Sequence, residues 1–323
     1  MPLLNVSDLK MYYESKYGVV RAVDGVSLNL NRNESLGLVG ESGCGKSSLA
    51  FTLMRVLPKN SKIIGGHVFY KGEDLLKLSN KKMRHVRWAE ISMIFQSAMN
   101  ALNPVLKVGE MAIEAIQTHE GVSRNEAKIR IKQLLEDMGL DESRINNYPH
   151  EFSGGMRQRV TVAMSLICNP QVVIADEPTT ALDVIVQEQI LQKIKELQNK
   201  KGIALLLISH DVSIIAETCE KIAVMYAGRL VESGRTVDVF NDPQHPYTFG
   251  LFRSFPSVHG KIKTLSSIPG KPPNLVNPPR GCRFSPRCPF VKKECFEKRN
   301  ELIEVEEGHY TSCPFASHLD FEG

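Results

Sequence analysis

The 323 residues exceed one ordinary compact core and predict one large domain with an appendage, or two domains. With 42% hydrophobic and 24% charged residues the composition is globular, and a net charge of +4 gives no warrant for the clustered basic face of a nucleic-acid binder. No apolar run is long enough to span a membrane as a helix, and the start MPLLNVSDLKMYY lacks a basic stretch leading into an apolar one. No signal peptide is therefore expected, and the chain is expected in the cytoplasm with its seven cysteines reduced.

In chain order, SLGLVG (35–40) is a short apolar run ending in glycine and reads as a buried strand. A glycine-rich turn follows, then a helix from about Lys46 to Leu57, ended by Pro58. Residues 107–138 read as two helices with no strand between them; Ser123 and Glu126 form a capping-box pattern and Gly139 a stop. QVVIAD (171–176) and IALLLISH (203–210) are two further buried strands, and Ile190, Leu191, Ile194 and Leu197 mark an apolar helix face between them. Strands alternating with helices predict an α/β sheet with parallel strands, interrupted by a helical insertion at about 97–165. After about residue 240 prolines accumulate, and the tail reads as loop-rich with little periodic pattern from which to build a core.

GESGCGKS (40–47) fits G-x-x-x-x-G-K-[ST] between a strand and a helix, the context that motif requires. Its glycines let backbone N–H groups turn inward around a β-phosphate, and the helix N-terminus adds its positive dipole end. Ser42, Gly43, Cys44 and Gly45 form the cradle, Lys46 reaches the β- and γ-phosphates, Ser47 ligates Mg²⁺, and Ser48 makes another phosphate contact. Cys44 reads as a small filler. VVIADEP (172–178) supplies the carboxylates: Asp176 for Mg²⁺, and Glu177, at the strand's end, to orient and deprotonate the attacking water. His210 ends the third strand, where it can reach the γ-phosphate, and Gln96 ends the strand-like run ISMIFQ, placed to sense Mg²⁺ and water. FSGGMRQR (152–159) opens a second helix with a Ser-Gly-Gly turn, another anion site by the same dipole argument; it makes sense if it serves a second subunit's nucleotide.

Together the Walker A stretch 40–47, Gln96, the signature Ser153-Gly154-Gly155, the Walker B strand 172–176, Glu177, the D-loop Ala181-Leu182-Asp183 and His210 resemble the ATP-binding subunits of ABC transporters across residues 1–240. The resemblance implies a RecA-like α/β core, an N-terminal antiparallel β subdomain and a helical signature subdomain. It implies two such subunits clamped head to tail, with ATP held between one loop and Ser153 and Gly155 of the other. It also implies an N-terminal aromatic stacked on adenine, with Tyr13 chosen over Tyr12 and Tyr17. HPYT (245–248), Leu251, Ser254, Pro256, IPGKPPNL (268–275) and PPRGCRFSPRC (278–288) resemble the C-terminal extension of dipeptide/oligopeptide permease ATPases, here residues 241–323. The chain thus resembles the ATPase subunit of an importer of di- or oligopeptides, with nickel or oligosaccharide uptake as alternative cargoes. Its implied partners are a second ATPase subunit, two membrane permease subunits and, indirectly, an external solute-binding protein, at the cytoplasmic face of the membrane. A soluble ABC ATPase acting on ribosomes or DNA usually carries two halves or a long coiled coil, neither of which is present. Two departures stand out: Asn33 precedes Glu34 where the family usually has glycine, and Ser97 follows Gln96 where an acid is common. Asn tolerates the left-handed turn this position needs.

Cys282, Cys288, Cys295 and Cys313 are spaced C-x5-C-x6-C-x17-C, without the close pair that structural zinc sites prefer. Cys288 and Cys313 are each followed by proline, as in one ferredoxin cysteine run. The residues alone leave an iron–sulfur cluster, zinc and unliganded thiols open. The resemblance favours a four-iron cluster, a staple for a segment that buries little. Cys168 and Cys219 fall outside the group and are expected to be buried fillers.

Overall fold

A computed structural model describes residues 1–96, 102–180, 182–254, 268–297 and 301–316. In chain order its elements are β1 (Leu4–Ser15), β2 (Gly18–Leu30), β3 (Ser35–Val39), α1 (Lys46–Leu53), β4 (Ser61–Tyr70), β5 (Glu73–Asp74), α2 (Asn80–Val86), β6 (Ile91–Ile94), α3 (Val108–Glu120) and α4 (Arg124–Asp137). They continue with α5 (Gly154–Ser165), β7 (Val172–Asp176), α6 (Val184–Lys201), β8 (Ala204–Ile208), α7 (Val212–Thr218), β9 (Lys221–Tyr226), β10 (Arg229–Arg235), α8 (Thr236–Asn241), α9 (Pro246–Arg253), β11 (Ile303–Glu306) and β12 (His309–Thr311). The chain forms two compact units: Met1, Asn31–Glu34 and Lys77–Leu207 in one, and Pro2–Leu30, Ser35–Leu76 and Ile208–Gly323 in the other.

In the first unit the strands run in the order β8-β7-β6, with β6 and β7 parallel in the register Ile91↔Val172 to Ile94↔Ala175. All residues of these strands are buried, as parallel strands covered on both faces require. Ile190, Leu191, Ile194 and Leu197 form the buried face of α6, the stripe their spacing predicts. The insertion holds α3 and α4. Ser123 caps α4 by accepting from the Glu126 N–H at 3.3 Å, and Gly139 follows the helix at φ 71°. At the turn before β3, Asn33 adopts φ 57°, the left-handed conformation expected of it, and the Glu34 carboxylate accepts from the Asn31 N–H at 2.6 Å.

The second unit contains two sheets. The antiparallel one runs β2-β1-β4-β5, with β1 and β2 closed by a turn that pairs Ser15 with Gly18. The other runs β11-β12-β10-β9-β3, with β3 parallel to β9 and the remaining pairs antiparallel. The helix after the glycine-rich turn is shorter than its sequence suggests. It ends at Leu53, because Arg55 turns left-handed at φ 49° before Pro58 is reached.

The tail also differs from expectation. Rather than lacking a core, it contributes one. Tyr247 and Phe284 are almost wholly buried and pack on Tyr226, with ring centroids 4.4 and 5.3 Å from it. Strand β12 pairs with β10 through Glu232↔Thr311 and Ser233↔Tyr310. Its docking is fixed by Glu232, fully buried, whose carboxylate accepts from the backbone N–H groups of Gln244 (2.6 Å) and His245 (2.8 Å) and from His309 Nε2 (2.8 Å).

Candidate functional site

In the second unit, β3 delivers the chain into the glycine-rich turn. Gly45 adopts φ 111°, and a Cβ there would stand 2.1 Å from the Ala22 carbonyl oxygen, so only glycine closes this turn. Ser42 and Gly43 lie exposed at the tip, and Ser47 and Ser48 are half-buried in the first turn of α1. Lys46, 6% exposed, folds its ammonium over the loop, donating to the carbonyls of Gly40 (2.7 Å) and Glu41 (3.2 Å). The Cys44 thiol is buried and pushed up by that burial, which suits a filler and not a nucleophile. Tyr13 shares a hydrogen bond with the Ser48 hydroxyl at 3.1 Å, whereas Tyr12 donates to Asp24 at 2.7 Å and Tyr17 is 76% exposed. Of the three tyrosines, Tyr13 is thus the one tied to the helix that follows the loop. The Ser209 N–H donates to the Leu38 carbonyl at 3.2 Å, so the exposed His210 follows a segment bonded to the strand that feeds the loop.

In the first unit, Asp176 is wholly buried at the end of β7. The next residue, Glu177, turns left-handed at φ 46°, which breaks the strand's alternation. Its carboxylate accepts from Gln96 Nε2 at 2.8 Å and from the Thr180 hydroxyl at 3.1 Å, bringing together two candidate residues 81 positions apart. Ser153 caps α5, accepting from the Met156 N–H at 3.4 Å, and Asp183 caps α6, accepting from the Val186 N–H at 2.9 Å. A Cβ on Gly155 would lie 2.7 Å from Val186 Cγ1, so glycine allows the two helix starts to meet and places Ser153, Gly155 and Asp183 in one neighbourhood. Sequence reasoning missed Gln158. It is buried on α5, and its amide donates to the Pro178 carbonyl, linking the signature helix to the residue after Glu177. Its only signal was its place in FSGGMRQR. Ala181 of the D-loop, Ser97 and Pro256 lie outside the described residues.

Cys282, Cys288, Cys295 and Cys313 line a single pocket in the second unit, closed by His245, Phe284, Phe290 and Phe315. Burial pushes the thiol of Cys288 up to about 12 and that of Cys313 up to about 11, and raises that of Cys282 as well. The backbone N–H groups of Phe284 and Ser285 at Cys282, Phe290 at Cys288 and Phe315 at Cys313 act the other way and favour thiolate. Among the described residues no three His, Cys, Asp or Glu side chains stand in the arrangement that grips one metal ion. Cys168 and Cys219 are buried elsewhere, as fillers should be. Among the described residues no helix is long and apolar enough to cross a membrane.

Comparison with known proteins gives these features a family. The ABC transporter family matches residues 23–180, and the C-terminal region of oligopeptide/dipeptide transporters matches 231–295. A probable peptide ABC transporter ATP-binding protein of Sinorhizobium fredii is 47% identical over 96% of this chain and 94% of its own length. The oligopeptide transport ATP-binding protein OppD of Bacillus subtilis is 45% identical over 95% of this chain and 87% of its own. Among solved structures, the dimeric ATP-binding cassette MJ0796 in a post-hydrolysis state with ADP and Pi superposes with a TM-score of 0.65 at 26% identity, covering 72% of this chain and 98% of that one. The chain is an ATPase that belongs to the oligopeptide/dipeptide branch of the ABC transporter ATP-binding subunits.

Proposed function

We propose that the chain hydrolyses ATP to power uptake of di- and oligopeptides through two membrane permease subunits. Residues 1–240 form the ATPase cassette and 241–323 the extension. The cassette pairs with a second ATPase subunit, identical or sister, at the cytoplasmic face of the membrane, and an external solute-binding protein delivers cargo. The similarity to peptide-transport ATPases carries this reading, because it runs through the tail as well as the cassette.

In this reading Ser42, Gly43, Cys44, Gly45, Lys46, Ser47 and Ser48 cradle the phosphates, and Tyr13 stacks on adenine. Mg²⁺, when bound, neutralises charge on the phosphates, held by hard oxygen donors from Ser47, Gln96 and Asp176. Glu177 accepts a proton from the attacking water, and its bond to Gln96 ties that carboxylate to the entry of the helical insertion. His210 contacts the γ-phosphate, while Ser153, Gly155 and Asp183 serve the nucleotide of the partner subunit. The test is Glu177→Gln. The amide oxygen can keep both accepted hydrogen bonds, so the local geometry persists while the base is lost. ATP should bind normally and turnover should fall by about 10²–10⁴-fold. Turnover within a few-fold of wild type removes Glu177 from the chemistry.

The four tail cysteines hold a [4Fe–4S] cluster. The fit rests on four thiols lining one apolar pocket, with backbone N–H groups facing three of the sulfurs, the hydrogen bonding that cluster thiolates accept. A single zinc would need its ligand sulfurs at about 2.3 Å, and among the described residues no three His, Cys, Asp or Glu side chains form a group that could hold one metal ion. When bound, the cluster cross-links the loops that carry the thiols. Anaerobic purification with iron, acid-labile sulfide and zinc counted per chain tests it. About four iron and four sulfide are expected; one zinc, or no metal in a folded chain, overturns the assignment.

A further inference from the structure

The nucleotide loop and the tail meet at Glu41, the second residue of GESGCGKS, and nothing in the loop's own chemistry calls for a carboxylate there. An acid beside a phosphate cradle opposes the binding of a polyanion. Here the carboxylate is taken by Arg287, which donates from Nη1 to one oxygen at 2.7 Å and from Nη2 to the other at 2.9 Å. The remaining donors of this guanidinium go to Tyr226 Oη (3.2 Å), the Pro269 carbonyl (2.8 Å) and the Ile268 carbonyl (3.3 Å). A guanidinium has five N–H groups, and each is used, so Arg287 is a rigid fork and not a surface charge. A second tie reaches the same residue: the Glu41 backbone N–H donates to the Tyr247 hydroxyl at 2.8 Å. Tyr247 is wholly buried, its ring packed on Tyr226 and Phe284. The third group of Glu41, its carbonyl, accepts from the Lys46 ammonium at 3.2 Å.

We propose that Arg287 and Tyr247 of the C-terminal extension are positioning residues for nucleotide binding: they fix Glu41 and so set the start of the phosphate loop and the resting place of the Lys46 ammonium. Arg287 also pairs the Glu41 carboxylate with a guanidinium, so that its charge is offset beside the phosphate loop. The extension then belongs to the ATP site as well as to the cysteine pocket. The inference rests on residues 40–47 binding the phosphates.

The test measures dissociation constants for a fluorescent ATP analogue, KM and kcat, and the thermal midpoint, on the full-length chain. Arg287→Gln should weaken ATP about ten-fold, the worth of one hydrogen bond to a charged group, with kcat at saturating ATP within two-fold. Arg287→Lys should recover little, because an ammonium cannot make the two-pronged contact. Tyr247→Phe, which removes one hydroxyl from an otherwise intact core, should give a smaller loss in the same direction and stands in if Arg287→Gln does not fold. Adding Glu41→Gln to Arg287→Gln should return part of the affinity, since the uncompensated carboxylate is then gone. A lowered thermal midpoint with ATP affinity within two-fold of wild type in Arg287→Gln and Tyr247→Phe overturns the proposal and leaves these residues as scaffolding. Lys46→Ala is the control. If it alone loses ATP, the loop reading stands and the clamp fails; if it binds ATP as wild type does, the loop reading itself fails and the clamp with it.

Discussion

The tail reaches the N-terminal sheet through the Arg21 N–H, which donates to the Leu275 carbonyl at 3.1 Å, and through one buried acid whose charge count fixes an order of mutational effects. Asp24 on β2 is 4% exposed. Its Oδ2 accepts from Arg229 Nη2 at 3.0 Å and from Arg283 Nη2, and its Oδ1 accepts from the Tyr12 hydroxyl at 2.7 Å. Burial alone would raise its pKa, but the Tyr12 hydrogen bond and the charges of Arg283 and Arg229 outweigh burial and hold it below the usual carboxylate range. Arg283 is buried beside another cation, and burial first, then Arg229, brings it down to about 10. Asp24→Asn leaves two guanidiniums with no counter-charge, one of them almost wholly buried, and should cost about 3–5 kcal/mol. Arg283→Gln leaves Asp24 still paired with Arg229 and Tyr12. It loses charge-assisted hydrogen bonds to Asp24 and to the Ala227 carbonyl, and should cost about 1.5–3 kcal/mol. Thermal unfolding of the purified chain reads the order directly: at about 2 °C per kcal/mol, the acid variant should melt roughly 6–10 °C lower and the arginine variant less. If Arg283→Gln melts as low as Asp24→Asn, the acid is not the hub and the charge argument is wrong.

Two further outcomes follow from single positions. Gly45→Ala should abolish nucleotide binding, because its Cβ meets the Ala22 carbonyl at φ 111°, while Gly43→Ala, at φ 77° with open space around it, should cost only backbone strain of about 1 kcal/mol; paired binding isotherms compare them. His309 is raised above its ordinary value: burial works against the proton, but the hydrogen bond and charge of Glu232 prevail, helped by Glu306 and Asp242. Its contribution is therefore fully present below the unfolded value of about 6.5 and is lost as pH climbs through the higher folded value. The melting difference between wild type and His309→Gln should accordingly shrink from pH 6 to pH 9; a difference that grows with pH contradicts the pairing.

What the sequence disclosed follows the range of the forces involved. Buried parallel strands are continuous apolar runs, so 35–40, 171–176 and 203–210 are visible without any partner. The α6 face and the Ser123 cap are local patterns within one or two turns. The glycines of 40–47 are legible because the loop's backbone admits no alternative at Gly45. The early end of α1 was hidden, since Arg55 carries no sequence mark of a left-handed residue. The tail's core was hidden for a different reason. Arg283 finds Asp24 across 259 positions, and Arg287 finds Glu41 across 246. A proline-rich stretch with no period of its own cannot announce packing whose other half lies at the opposite end of the chain.

That packing bears on why an ATPase carries cysteines at its tail. Both arginines that reach back to the N-terminal half lie in GCRFSPRC, each beside a cysteine of the pocket. The segment between Cys282 and Cys288 is tightly turned: the Ser285 N–H donates to the Cys282 carbonyl, the Arg287 N–H to the Phe284 carbonyl, and the Cys282 N–H to the Cys295 carbonyl at 2.7 Å. Fixing the sulfurs therefore fixes where the two guanidiniums emerge. A staple is not needed to bury Phe284 or to pair β12 with β10, which the core and Glu232 already do. The proposed cluster would act instead on Arg287, by fixing the backbone from which its five donors are met. On this reasoning Cys288→Ser should weaken ATP binding through Arg287, by less than Arg287→Gln does, and should add nothing once Arg287 has been replaced. A double-mutant cycle on ATP affinity measures this. Additive losses would separate the cysteine pocket from the nucleotide loop; a cycle in which the second substitution is silent joins them.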